Sequence, residues 1–401
     1  MTQQKYSIMI VAGEPSGDAH GARLVNALRE AAPAAELDFF GAASHRLREA
    51  GVEEIVNADD FSVVGLPEIA RALPRFWRDF KKLRTAALER RPAAVVLVDF
   101  PDFNLKLAKS LKKQGLKIIY YISPQLWAWR KYRVRTISKY VDRLLAILPF
   151  EKKWYAEQGV SHVEYVGNPT VREVHSKLTK AEFCARHGLD PDRPIVSLLA
   201  GSRHKEIVRI LPELLETAAV MTKRDPRLQF VAALAPTRRR AEYEAAYELA
   251  LSRNGALANV GLTVVQNETF EALNASDAAA VTSGTATLET GLIGTPLAIV
   301  YKTSALNYRL LRPLIAVEHF GLINLIAGER LARELIQDDF TPRTLADELF
   351  RLLDPGRNGQ MRARLREIAD QLGHGGASRR AAEVILREIG FSTKETAGGD
   401  L

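Results

Sequence analysis

The chain has 401 residues, 47% of them hydrophobic and 26% charged, with a formal net charge of +8. That length implies two domains of ordinary size rather than one core, and a single cysteine, Cys184, excludes an intrachain disulfide and a cysteine-built metal site. The basic excess points to an anionic partner, whether nucleic acid, an anionic membrane surface or a phosphorylated small molecule.

The N-terminal MTQQKYSIMIVAG lacks a basic region followed by a long apolar one, and no stretch reaches about 18 consecutive apolar residues. A cytosolic protein with neither signal peptide nor spanning helix is therefore expected. SIMIVAG (Ser7–Gly13) reads as a strand and Ala19–Ala31 as a helix. AAVVLVDF (Ala93–Phe100) is a continuous apolar run, as parallel strands show when both faces are buried. KIIYYIS (Lys117–Ser123) and RLLAILPF (Arg143–Phe150) repeat the pattern, which predicts a doubly wound parallel sheet.

Glycine and proline punctuate GNPT, placing a boundary near Val166–Arg172, after which the alternation restarts. PIVSLLAGSR (Pro194–Arg203), LQFVAALA (Leu228–Ala235), LTVVQN (Leu262–Asn267), DAAAVTSG (Asp277–Gly284) and PLAIVYKT (Pro296–Thr303) read as its strands, and Leu345–Ile389 as helices. The expected organisation is an N-terminal Rossmann-like domain over 1–168, a second over 169–365, closing helices over 366–390 and a disordered tail over 391–401. Two such α/β domains would face a central cleft, with ligands at the carboxyl ends of the strands.

Five segments carry candidate chemistry. AGEPSGDAHG (Ala12–Gly21) follows the first strand; Gly13, Gly17 and Gly21 allow a tight turn and a close ligand approach, with Glu14, Ser16, Asp18 and His20 among them. The GxGxxG dinucleotide fingerprint is absent, and Ser16 and Asp18 also suit helix capping. In VDFPDFN (Val98–Asn104), Asp99 ends a buried strand, where a desolvated carboxylate can serve as a general base; Asp102 better suits capping the next helix. No convincing DxD metal motif surrounds Asp99, the HExxH, P-loop and GxSxG patterns are missing, and no metal is expected.

LLAGSRHKEI (Leu198–Ile207) runs a strand into Gly201, Ser202 and Arg203 and then a helix: a phosphate seat of free amides, a hydroxyl and a guanidinium. TSGTATLETGLIGTP (Thr282–Pro296) is a second such turn, with Glu289 placed to bond ribose hydroxyls or to face the helix dipole. Between Glu68 and Arg91 an apolar stripe including Leu73, Phe76, Trp77 and Phe80 runs between eight basic residues, as at an anionic bilayer interface or on a domain helix that packs inward. WAWRKYRVR (Trp127–Arg135) adds a basic aromatic run, but nothing resembles a nucleic-acid module.

In order, AGEPSGDAHGA, VDFPDFN, YYISPQLWAWR, LPFEKKWY, the VGNP turn, LLAGSRHKEI, TSGTATLE and NLIAGERLARELIQ resemble the lipid-A-disaccharide synthase family over nearly the whole chain. The resemblance implies a GT-B type fold, no cofactor and an inverting transfer from UDP-2,3-diacylglucosamine to 2,3-diacylglucosamine 1-phosphate (lipid X). The product would be a β-1,6-linked disaccharide 1-phosphate of lipopolysaccharide biosynthesis, made on the cytoplasmic face of the inner membrane of Gram-negative bacteria.

The resemblance also implies Asp99 as the base for the acceptor 6-hydroxyl, with Glu14 as its rival, and Arg203 as a catalytic cation. It assigns Gly201 and Ser202 to the UDP phosphates, Ser283, Gly284, Thr285 and Glu289 to the rest of the nucleotide, and carries over Asp18, Asn324 and Gln337. Ala200 and Ile323 stand where the family usually has proline, and Asn168 where it often has histidine, which bears on loop rigidity more than on chemistry. The competing reading is a UDP-sugar 2-epimerase or hydrolase of the same architecture, which would need no lipid acceptor.

Overall fold

The computed structural model describes residues 5–59, 66–235, 238–304, 308–309, 319–373 and 375–391, with backbone alone for residue 15 and residues 66–73. Strands and helices alternate: β1 (Lys5–Ala12), α1 (Pro15–Ala31), β2 (Glu36–Ala43), α2 (His45–Glu49), β3 (Glu53–Asn57), α3 (Leu66–Arg90), β4 (Ala94–Val98), α4 (Pro101–Lys112), β5 (Ile118–Tyr121), α5 (Val134–Tyr140), β6 (Arg143–Ala146), α6 (Pro149–Glu157) and β7 (Val163–Tyr165). They form a parallel sheet of order β3-β2-β1-β4-β5-β6-β7. Every residue of β4 is buried, as a strand covered by helices on both faces requires.

A second series follows: α7 (Lys180–His187), β8 (Ile195–Leu199), α8 (His204–Arg224), β9 (Gln229–Leu234), α9 (Arg240–Arg253), β10 (Leu262–Gln266), α10 (Thr269–Ala275), β11 (Ala278–Thr282), α11 (Thr285–Ile293), β12 (Leu297–Tyr301), α12 (Leu322–Ala327), β13 (Glu334–Ile336), α13 (Pro342–Leu353) and α14 (Pro355–Leu372). Its parallel sheet has the order β10-β9-β8-β11-β12-β13. In both sheets the order reverses beside the series' first strand, and register aligns the strand ends there. Ala12 pairs with Val98 across β1 and β4, and Leu199 with Val281 across β8 and β11. The loops leaving those ends sit side by side at the switch point, where doubly wound sheets bind ligands.

The chain divides into two units between Pro169 and Thr170, and residues 375–391 belong with the first. The expected closing segment over 366–390 is thereby split: α14 stays with the second unit, while α15 (Ala377–Glu388) joins the first. The break falls at Gly373, Gly375 and Gly376, all at positive φ, a backbone region open to glycine at little cost. Ala381, Ala382, Ile385 and Leu386 of α15 complete the core that holds Ile8 and Ile10 of β1 and Leu24 and Leu28 of α1. Arg143 clasps Glu388 at 2.6 and 2.8 Å, and Arg380 donates to the Val166 carbonyl at 2.8 Å. Of the tail expected to be disordered over 391–401, Phe391 packs on the core with its ring centroid 6.1 Å from that of Tyr6, and 392–401 lies outside the described residues.

The predicted strands are shorter than their apolar runs. Arg143–Phe150 is strand only to Ala146, because Pro149 opens α6. Ala93–Phe100 stops at Val98, because Asp99 and Phe100 are both left-handed, at φ 47° and 51°.

Candidate functional site

At the first switch point, β1 leads into Gly13 and Glu14, and β4 into Asp99 and Phe100. A Cβ on Gly13 would run into the Phe100 ring, so glycine there is what lets the two loops close on one another. Glu14 starts α1 by its backbone, its carbonyl accepting from the Asp18 amide at 2.8 Å, while its exposed carboxylate makes no cap bond. Two successive non-glycine residues in the left-handed region cost about 1–2 kcal/mol each, so the turn at Asp99 and Phe100 needs support. Burial first, and then the Glu14 carboxylate, lift the Asp99 carboxyl to about 6, against the pull of the Phe100 amide. The pair is thus a poised proton acceptor beside a second carboxylate.

Other residues of these loops have structural duties. Asp18 is buried, its carboxylate accepting from the amides of Ser44 at 2.8 Å and Arg46 at 2.9 Å, so it starts α2. Each of its carboxylate oxygens thereby accepts from one main-chain amide. Gly17 is buried in α1, where an added Cβ would stand in ordinary contact, 3.7 Å from the Ala12 Cβ and the Val98 carbonyl oxygen; Ser16 is exposed in the first turn. Asp102 does not cap α4, which Phe100 precedes without a side-chain cap bond. It pairs instead with Arg130, at 2.6 Å, and Arg133.

Helix α3 divides the expected membrane-facing stripe. Phe76 and Phe80 are half-buried against the core, with ring centroids 6.3 and 5.9 Å from Phe103. They are packing residues first, which corrects their placement at a membrane. Trp77 is 59% exposed, with the Lys81 ammonium 5.7 Å from its ring. Trp77, Arg78, Lys81 and Lys82 border an open groove of about 670 Å³. The side chain of Leu73 lies outside the described residues. In the second basic run Trp127 is buried, Trp129 is about half exposed under the Arg130 guanidinium, and Tyr132 is exposed.

At the second switch point, Gly201 turns at φ 102° out of β8 and Arg203 precedes α8. The expected free amides are not free. Those of Ser202 and Arg203 both donate to Glu206 Oε2 at 3.0 Å, because a glutamate three residues into the helix completes a capping box. The Arg203 side chain is 79% exposed, with one 3.3 Å contact to Glu206. Across the switch point, Gly284 precedes α11 without any side-chain cap bond, and Gly284 and Thr285 are exposed, so among the described residues no side chain caps the amides at this helix start.

Ser283 donates to the Phe320 carbonyl at 2.7 Å. Glu289 is half-buried; burial and then Glu173 lift its carboxyl above the usual range, and no hydrogen-bond partner meets it among the described residues. Asn324 is fully buried, donating to the Ala332 carbonyl and Glu334 and accepting from the Ala332 amide at 2.7–3.0 Å. Gln337 exchanges two bonds with the Thr303 backbone, at 2.6 and 3.1 Å. Both brace the segment beside β12 rather than offer free polar groups.

Residues 8–389 match the family model described as lipid-A-disaccharide synthetase. The chain belongs to the lipid-A-disaccharide synthase family. It is 45% identical over 382 residues to the lipid-A-disaccharide synthase of Myxococcus xanthus, spanning 94% of this chain and 96% of that one. It is 41% identical over 386 residues to that of Geobacter sulfurreducens, spanning 96% and 98%. Membership makes it a glycosyltransferase, and its fold is of the GT-B type. The fold is shared with the UDP-GlcNAc 2-epimerase of Neisseria meningitidis solved with UDP-GlcNAc (TM-score 0.61, 13% identity, 96% of this chain and 100% of that one). It is shared also with the sucrose-phosphate synthase of Thermosynechococcus elongatus (TM-score 0.60, 15% identity, 97% and 100%).

Within this lipid-A-disaccharide synthase family member, sequence reasoning left four residues around the sites without a role. Asn104 and Tyr120 bond the Asp99 carbonyl, Glu151 ties the loop after β5 to that after β6, and Glu206 closes the α8 amides. Each lies inside a quoted motif, and the signal for Glu206 was its capping-box spacing from Arg203.

Proposed function

We propose that the chain transfers 2,3-diacylglucosamine from its UDP donor to the 6-hydroxyl of lipid X on the cytoplasmic face of a Gram-negative inner membrane. The observation that carries this reading is the Asp99 carboxylate, set at the sheet's switch point and raised to about 6 beside Glu14. In one displacement the acceptor oxygen bonds to the donor's anomeric carbon, the bond from that carbon to the diphosphate breaks, and the acceptor proton passes to Asp99. The configuration inverts and UDP leaves with the electron pair. Arg203 and the amides at Gly284 and Thr285 offset the charge growing on the diphosphate, while Glu289 accepts from ribose hydroxyls.

Membrane contact is supported by exposed Trp77 with Arg78, Lys81 and Lys82 around it. No helix among the described residues is long and apolar enough to cross a bilayer. The deciding experiment measures UDP release with and without lipid X, for the wild type and for Asp99→Asn. Release that needs lipid X and is lost in the variant is expected. Acceptor-independent release would favour the epimerase or hydrolase reading and overturn this one.

A further inference from the structure

Asp99 and Phe100 leave the strand in the left-handed region, and the peptide between them fixes where the Asp99 carboxylate stands. The easiest escape from two consecutive left-handed residues is rotation of that shared peptide plane, which changes ψ of one and φ of the next. The carbonyl oxygen of this peptide is held twice. Tyr120 Oη donates to it at 2.6 Å and Asn104 Nδ2 at 2.8 Å, which fills both of its lone pairs. Rotation would have to break both bonds together.

Both donors are built into the fold. Tyr120 is fully buried in β5, the neighbour of β4, and the Asp99 amide donates to the Tyr121 carbonyl at 3.0 Å, so the turn is held from the same strand on two sides. Asn104 is fully buried in the first turns of α4, where its Nδ2 also lies 3.3 Å from the Val98 carbonyl and 3.4 Å from that of Val11. It therefore ties the end of β1, which leads to Glu14, to the loop that carries Asp99. Its Oδ1 finds no partner among the described residues, so the amide donors are what this position uses.

We propose that Tyr120 and Asn104 are positioning residues for the transfer, holding the Asp99–Phe100 peptide so that the carboxylate keeps its angle to the acceptor hydroxyl. The proposal rests on Asp99 being the base. The charged groups around the turn are Glu14 after β1 and Asp102 of α4 with Arg130 and Arg133 upon it.

Tyr120→Phe keeps the ring and deletes one of the two bonds; Asn104→Leu deletes the other at similar volume. The experiment measures kcat, both KM values, the pH dependence of kcat and the melting temperature for each variant and for Asp99→Asn. A base displaced by about an ångström loses on the order of 10- to 100-fold in kcat, with both KM values held. The acid limb of kcat moves down from about 6 toward the ordinary carboxylate range, because a released carboxylate meets more water. Wild-type kcat and an unmoved limb in Tyr120→Phe overturn the proposal, whether or not Asn104→Leu folds. So does a loss that leaves the limb in place and follows the melting temperature. If Asp99→Asn keeps wild-type kcat, the base assignment itself has failed, a result distinct from either.

Discussion

The ring of Phe76 in α3 stacks on that of Phe100, centroids 6.4 Å apart and planes at 29°, so the helix carrying exposed Trp77 rests on the residue that follows Asp99. The two aromatic neighbours on α3 should therefore answer differently to replacement. Phe76→Ser removes a half-buried ring from the Phe100–Phe103 cluster and costs about 2 kcal/mol or more, less than the full burial range for phenylalanine. It also lowers turnover, because Phe100 loses its support. Trp77→Ser leaves the melting temperature unchanged and weakens binding to anionic liposomes. Thermal unfolding beside liposome co-sedimentation checks both; a Trp77 variant that unfolds with the Phe76 variant would place Trp77 in the core.

Asp18→Ala separates a structural carboxylate from a ligand-binding one. Removing it strips two backbone amides, those of Ser44 and Arg46, of their acceptor at the start of α2. Such a loss costs about 1–3 kcal/mol in stability. The donor KM of the surviving folded enzyme is expected to stay at the wild-type value. A raised donor KM at unchanged stability would return Asp18 to the nucleotide.

The alternation of apolar runs and glycine turns made both sheets and both switch points legible, because parallel strands buried on two faces advertise themselves in VVLV and SLLA. Which polar group satisfies which amide was not legible. Asp18 looks like a ligand-facing residue of a glycine loop and the Ser202 and Arg203 amides look free, yet Asp18 accepts from two main-chain amides and Glu206 accepts from those two once the helices form. Asn324 and Gln337 are similar: their partners, Ala332 and Thr303, are set by folding rather than by spacing. The stripe on α3 fits two environments equally well by periodicity, and only the meeting of Phe76 with Phe100 and Phe103 decides between them.

Arg203→Ala should damage catalysis while sparing the fold. Its side chain is 79% exposed and pairs with Glu206 at 3.3 Å, so the ion pair contributes under about 1 kcal/mol to stability. Facing a departing diphosphate the same charge is worth far more, on the order of a 100- to 1,000-fold effect on kcat. Steady-state kinetics beside thermal unfolding tests this. Wild-type turnover would remove Arg203 from the mechanism, and a fall in melting temperature matching the fall in rate would make its role structural.

Glu151 should make stability depend on pH. It is fully buried, and burial lifts its carboxyl from 4.5 to about 7, against the pull of the Leu148 amide, Trp127 Nε1 at 3.1 Å and the Ile147 amide. A carboxyl raised in the folded state holds its proton more tightly there than in the unfolded chain. Its contribution is therefore complete below about pH 4.5 and lost as pH rises through about 7. Glu151→Gln keeps a neutral acceptor for the Leu148 and Ile147 amides and cannot ionise, so its melting temperature should fall less than the wild type's between those limits. Parallel slopes for the two proteins would show that the Glu151 carboxyl titrates alike in the folded and unfolded chain, and that burial does not raise it.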